Sequence, residues 1–221
     1  MSSFILQHRR ASALELIELG RRERPDGRLA VLQEVSDRAV VLGSTQSFDE
    51  VDQEAAAGRG LSIARRPSGG GAVLVAPGAQ VWADFFLPAG DPLLESDLAA
   101  SFQWLGRTWQ KALSALGVGD LTVSGRAGEH HRLERRLCFV AVGAGEVLVR
   151  GKKVVGISQR RIREGAFFFS MLLLAETGEE LVSCLRLGEE PADALAALAA
   201  RSGWLPLRPS AVEEALLAAL P

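Results

Sequence analysis

Two stretches of this chain combine residue types at spacings that could do chemistry. The first is Arg65-Arg66-Pro67-Ser68-Gly69-Gly70-Gly71-Ala72-Val73. Three successive glycines are costly inside a helix or strand. They allow close backbone approach to a ligand and expose amides that can surround an anion. The two arginines add bidentate donors for a phosphate or carboxylate. A flexible basic turn between strands accounts for the same residues, so the glycine run alone leaves both readings open. Neither standard nucleotide loop is present. No GxGxxG follows a strand in a βαβ setting, and the P-loop-like run 145–152 is one residue too long and lacks a Ser or Thr after the lysine.

The second stretch is Gly151-Lys152-Lys153-Val154-Val155-Gly156-Ile157-Ser158-Gln159-Arg160-Arg161. A lysine directed into a pocket can stabilise charge on a reacting oxygen. Neighbouring strand residues point to opposite faces, so only one of the two lysines can enter a site. The ordinary expectation for such a pair is a solvated turn. Cys138, in Leu137-Cys138-Phe139-Val140, reads from its surroundings as a small core residue on an apolar strand. Asp84 sits in an apolar strand, where the solvent face is the default for a carboxylate. His130 and His131 fall in a charged loop.

Bulk composition narrows the function classes. The 221 residues carry a formal net charge of -2 and are 48% hydrophobic. No global basic character points to nucleic acid. No stretch is long and apolar enough to span a bilayer, and no secretory leader is visible, so a reduced cytoplasmic protein is expected. The two cysteines and three histidines show no metal-ligand spacing, and no metal site is expected.

These residues need a scaffold, and the sequence outlines one. Capping boxes at Ser12–Glu15, Ser47–Glu50 and Ser210–Glu213 mark three helix starts. Apolar residues at spacings of three and four predict one helix over 98–116. Strands are expected at 39–42, 61–64, 121–123, 137–142, 146–149, 153–158 and 167–174. Two more, 72–75 and 80–87, are expected to pair around a Pro77-Gly78 turn. A helix is expected over 192–200. Connections too short for parallel crossovers imply an α+β fold, a mixed and largely antiparallel sheet packed with helices. A single catalytic-type domain over 1–221 is expected, with room for a small helical annex at 187–221.

Together the two motifs resemble the lipoate–protein ligase and octanoyltransferase family of the biotin/lipoate ligase superfamily. The glycine segment is similar to that family's RRxSGGGAV loop, and the lysine segment to its KxxGxxQxR strand. Val41-Leu42-Gly43-Ser44-Thr45-Gln46 resembles its opening strand. The resemblance implies a class II synthetase-like fold and attachment of lipoate or octanoate to a lysine of a carrier domain. In the ligase branch this proceeds with ATP and Mg2+ through an acyl-adenylate. Lys153 then matches the lysine at the acyl carbonyl, Arg160 matches an arginine near the nucleotide, and Gly156 keeps the acyl tunnel open. Arg65, Arg66, Ser68, Gly69, Gly70, Gly71 and Ala72, with Gly43, Gln46 and Ser158, line the substrate and nucleotide site. The acceptor would be a lipoyl-carrier domain or an H-protein-like protein. In the transferase branch, Cys138 carries the acyl group, taken from an acyl-carrier protein without ATP. The triple glycine favours the ligase branch, and Cys138-Phe139 favours the transferase. The family's loop runs on to a His-Asp pair that is missing here, which keeps open a third reading, a non-catalytic acyl- or nucleotide-binding protein.

Overall fold

The computed structural model describes residues 3–126, 132–188 and 190–221. His130 and His131 lie outside these. Among the described residues ten strands form two sheets. The larger has the order β1 (Ile5–Ala11), β2 (Leu29–Val35), β6 (Gln80–Pro88), β10 (Gly165–Leu173), β9 (Lys152–Ile162), β8 (Val147–Val149), β7 (Leu121–Val123). The smaller has the order β4 (Ser62–Arg65), β3 (Ala39–Leu42), β5 (Val73–Val75). Among the described strand pairs, β1–β2 and β3–β4 are parallel and the rest antiparallel. The sheets are mixed and largely antiparallel, as the short connections require.

Helix α1 (Ala13–Arg22) starts at the Ser12–Glu15 capping box. It sends Leu16 and Ile17 into a core shared with Val41, Val73, Val75 and Trp82, between the two sheets. On the far face of the large sheet lie α4 (Gln103–Ala115) and α7 (Pro209–Ala219). Their Leu105, Trp109, Leu113, Val212 and Leu216 pack on Phe85, Leu87, Phe168 and Leu172. Trp109 Nε1 donates to Ser170 Oγ at 3.0 Å, tying α4 to β10. Residues 191–201 form α6, whose Ala194 and Leu198 enter a third cluster with Leu74, Leu137 and Val140.

Several elements differ from expectation for identifiable reasons. β5 and β6 do not pair with each other. The turn at 76–79 carries the chain from the small sheet to the large one, held by Gln80 Oε1 accepting from Ala76 N at 3.1 Å. The apolar run expected as a strand over 137–142 is a short 3-10 turn, Cys138–Val140. The helix expected over 98–116 is interrupted at Phe102, leaving a short α3 (Leu98–Ser101) before α4, and Leu98 is exposed. The second capping box starts a single 3-10 turn, Phe48–Glu50, and Asp52 caps the helix that follows, α2 (Gln53–Gly58). α7 begins at Pro209, a residue suited to the first helical position, so Ser210 is not its cap. α5 (Gly178–Ser183), β1 and β2 have no counterpart among the expected elements. β2 is covered on both faces, so its sequence shows no alternation.

One irregularity decides the orientation of the motif on β9. Val147 pairs with Val155, but Leu148 pairs with Lys153, so Val154 is an extra residue. This β-bulge lets Val154 and Val155 both join the α4/α7 core. It also brings Lys153 and Gly156, three apart in sequence, to the same face, and a Cβ on Gly156 would lie 3.3 Å from Lys153 Cε. Trp109 anchors the opposite face. Trp109→Ala is expected to lower the unfolding free energy by about 3–5 kcal/mol in urea titration, with Trp109→Phe losing clearly less.

Candidate functional site

A cavity of about 360 Å3 opens between the sheets, beneath α1. Its walls include Leu16, Ile17, Val41, Val73, Trp82, Phe139, Phe169 and Met171. At one end stand Gly69, Gly70, Arg66, Cys138, Lys153, Glu146, Gly156 and Ser158. An apolar chamber with convergent polar groups at one end suits an amphiphile with a reactive head.

The glycine loop is shaped by backbone crowding. A Cβ on Gly43 would sit 1.8 Å from Gly70 O, and one on Gly71 would sit 2.4 Å from Leu137 N. Gly70 has φ +96, the left-handed region. Arg66 is buried and clamps this loop from within. Its guanidinium donates to Gly69 O and Gly71 O, both at 2.9 Å, and to Val41 O at 3.3 Å. Burial lowers the Arg66 pKa. Ser68 Oγ and Ser158 Oγ share a hydrogen bond of 2.8 Å, joining the glycine loop to β9.

Lys153 is 2% exposed. Its ammonium has three donors, and three acceptors meet them: Cys138 O at 3.0 Å, Ala141 O at 3.0 Å and Glu146 Oε1 at 2.7 Å. Glu146 is equally buried. Its Oε1 also accepts from Ile157 N and its Oε2 from Gly143 N. Lys153 thus bends the Cys138–Val140 segment out of an extended conformation, while Cys138 N donates to Ala72 O at 3.0 Å. Cys138 faces both this cavity and a second one of about 550 Å3 lined by Lys152, Thr177, Leu195, Leu198 and Trp204. Lys152 points away, its Nζ donating to Ala199 O. One of the two lysines enters the site, as alternation requires.

Other sequence-selected residues support the site at a distance. Gln46 Oε1 accepts from Gly43 N, and its Nε2 donates to Glu50 and Arg136 O. Arg65 lies over the Phe48 ring and reaches Gln46 O. Gly43, Gln46, Arg65, Ser68, Gly71, Ala72 and Arg160 are not on the cavity wall. Asp84 is on the wall and buried, against the solvent-face expectation. Its Oδ1 accepts from Trp82 Nε1 at 2.9 Å and its Oδ2 from Gln33 Nε2. Sequence reading missed Glu146. The signal that could have found it is the requirement that a buried lysine has a carboxylate partner. Among the described residues no three His, Cys, Asp or Glu side chains assemble as a metal-ligand set.

The site is thus an apolar chamber in an α+β domain, ending at a lysine, a cysteine and a glycine loop. The chain belongs to the lipoyl protein ligase A/B catalytic domain family, which it matches over residues 10–201. It is 29% identical over 156 residues to the octanoyltransferase LipM of Moorella thermoacetica, covering 70% of this chain and 56% of the relative. It is 26% identical to the octanoyltransferase LipM of an Exiguobacterium species, covering 68% of this chain and 56% of that relative. The chain therefore spans just over half the length of these relatives. Its fold is that of lipoate-protein ligase A bound with ATP (TM-score 0.74, 18% identity, 99% of this chain and 84% of the other). It is equally similar to a bi-partite lipoate protein ligase from Thermoplasma acidophilum studied with its E2 lipoyl domain (TM-score 0.74, 16% identity, 99% and 82%).

Two outcomes follow from this geometry. Gly43→Ala forces the Gly70 carbonyl to move, and is expected to cost about 1–3 kcal/mol of stability in denaturant titration. Burial pushes the Asp84 carboxyl up from 3.8 to about 7, against the Trp82 and Gln33 hydrogen bonds and the charge of Arg9, which lower it. The folded chain then binds this proton more tightly than the unfolded chain. Stability from this group is full below pH 3.8 and is lost as pH rises to about 7. Urea midpoints of wild type should fall across that window by an amount worth roughly 2–4 kcal/mol more than those of Asp84→Asn.

Proposed function

We propose that this protein is a cysteine-dependent octanoyltransferase. It takes a medium-chain acyl group from an acyl-carrier protein thioester and passes it to a lysine of a lipoyl-carrier domain. The observation behind this reading is Cys138, held on the wall of the acyl cavity by a turn that Lys153 fixes. The similarity to two octanoyltransferases supports it.

The Cys138 thiolate attacks the carbonyl carbon of the donor thioester. A new carbon–sulfur bond forms to Cys138, the bond to the carrier sulfur breaks, and the carrier leaves as a thiolate that takes a proton from solvent. The acceptor lysine amine then attacks the Cys138 thioester. A carbon–nitrogen bond forms, Cys138 leaves as thiolate, and the amine proton passes to solvent. Both steps gather negative charge on the acyl oxygen. The Lys153 ammonium and the Gly69 and Gly70 backbone are the fixed positive elements at that end of the chamber. Lys153 acts here as a positioning residue as much as a charge, since its three donors already hold Cys138 O, Ala141 O and Glu146. The second cavity behind Cys138 is the route for the carrier arm and the acceptor lysine.

An adenylate route places heavier demands on the cations. Arg66 and Lys153 are the cations on the cavity wall among the described residues, and both commit donors to backbone carbonyls. Arg65 and Arg160 lie off the wall. This set suits a thioester better than a triphosphate.

Intact-protein mass spectrometry separates the routes. Incubation with octanoyl-carrier protein should add one octanoyl group without ATP, and Cys138→Ala should abolish the adduct. Octanoyl-adenylate formed from octanoate and Mg-ATP, with no adduct on Cys138, would overturn the transferase and favour the ligase. In the same assay Lys153→Met should slow acylation by roughly 10²–10³-fold.

A further inference from the structure

We infer, resting on the reading of this cavity as an acyl site, that Gly20 on α1 sets the length of acyl chain the chamber accepts. The reactive end lies on β9, at Lys153 and Gly156, and on the turn that carries Cys138. Gly156 pairs with Met171 on β10, and Met171 pairs with Trp82 on β6. Asp84 stands two residues further along β6, opposite Phe169. Two inter-strand steps of about 4.8 Å, with two residues along the strand, put this end of the chamber roughly 12 Å from Gly156. Gly20, Asp84 and Phe169 are walls common to the chamber and to a void of about 10 Å3 beyond it, which Val31, Phe86 and Phe167 help to line. Gly20 therefore belongs to the far end of the chamber.

The backbone does not require a glycine at this position. Gly20 is outside the left-handed region, and α1 runs on to Arg22, so it does not end the helix as a terminal glycine does. Inside a helix a glycine is destabilising relative to alanine. Packing does not require it either. A Cβ on Gly20 would meet no neighbouring atom within 4 Å, whereas one on Gly43 or Gly71 would collide with backbone. Gly20 follows Leu16 by four residues and Ile17 by three, which places it on the face of α1 that both of them bury. A side chain at this position would project from that face toward the chamber. Its absence leaves room beside Leu16, Ile17 and Phe169 for the last carbons of a straight acyl chain, whose burial there is favourable.

The direct test is isothermal titration calorimetry of straight-chain fatty acids of four, six, eight, ten and twelve carbons against wild type, Gly20→Ala and Gly20→Leu. In Gly20→Leu the ratio of eight-carbon to six-carbon affinity is expected to fall at least roughly tenfold, moving the preference to shorter chains. Gly20→Ala should move it the same way by less. Alanine favours the helix, so Gly20→Ala should also melt at a higher temperature than wild type, which separates its loss of long-chain binding from a folding defect. An unchanged ratio in Gly20→Leu, an equal loss at every length, or no binding of any acid to wild type would overturn the inference. The octanoyl-carrier assay separates the two readings. Octanoylation of Cys138 in wild type with an unchanged chain-length order in both variants defeats only the inference. A shift to shorter acids without acylation of Cys138 defeats only the transferase.

Discussion

The site depends on one buried ion pair. An ammonium removed from water must find both a counter-charge and acceptors for all its donors, or it loses its proton or moves out. Lys153 meets that demand with Glu146 and two backbone carbonyls. Each partner fixes something else. Glu146 closes the turn that begins at Gly143 and accepts from Ile157 N on β9. The two carbonyls belong to the turn that presents Cys138. This one buried charge therefore serves as the joint between β9, the turn before β8 and the cysteine segment.

The glycine loop meets the same turn from the other side. Gly43 abuts the Gly70 carbonyl and Gly71 abuts Leu137 so closely that side chains are excluded at both, and Gly70 holds a left-handed backbone with φ +96. Arg66 fills the space within the loop. Its donors take the Gly69 and Gly71 carbonyls, which leaves Gly69 and Gly70 facing the chamber. An arginine that reads as an anion ligand in the sequence is, in the folded chain, the brace that shapes the loop.

The legible parts of the fold and site were those governed by local rules. The Ser12 capping box and the α4 periodicity follow from side-chain spacing, and the strands expected at 153–158 and 167–174 fall on β9 and β10, although the hairpin they form extends through 159–166. The glycine run announced close backbone approach, although its nearest neighbour proved to be other backbone. What was not legible depends on tertiary partners. The run Leu137-Cys138-Phe139-Val140 has strand composition, yet a lysine fifteen residues away in sequence draws its carbonyls into a turn. Lys153 and Gly156 fall on opposite faces of a regular strand, and only the bulge at Val154 unites them. Gln33, Asp84 and Glu146 are polar residues whose types alone favour solvent, yet all three are buried. Gln33 and Asp84 are buried as partners brought together from distant strands, and Glu146 is buried against Lys153 across the β8–β9 region.

The central claim is that Lys153 and Glu146 form one coupled unit beneath the cysteine turn. A double-mutant cycle in urea, using Lys153→Met, Glu146→Gln and the combined variant, measures that coupling directly. Each single change should be strongly destabilising because it leaves a buried partner unmatched, and the combination should cost less than their sum by roughly 2 kcal/mol or more. Additivity of the two changes to within roughly 0.5 kcal/mol would contradict the account.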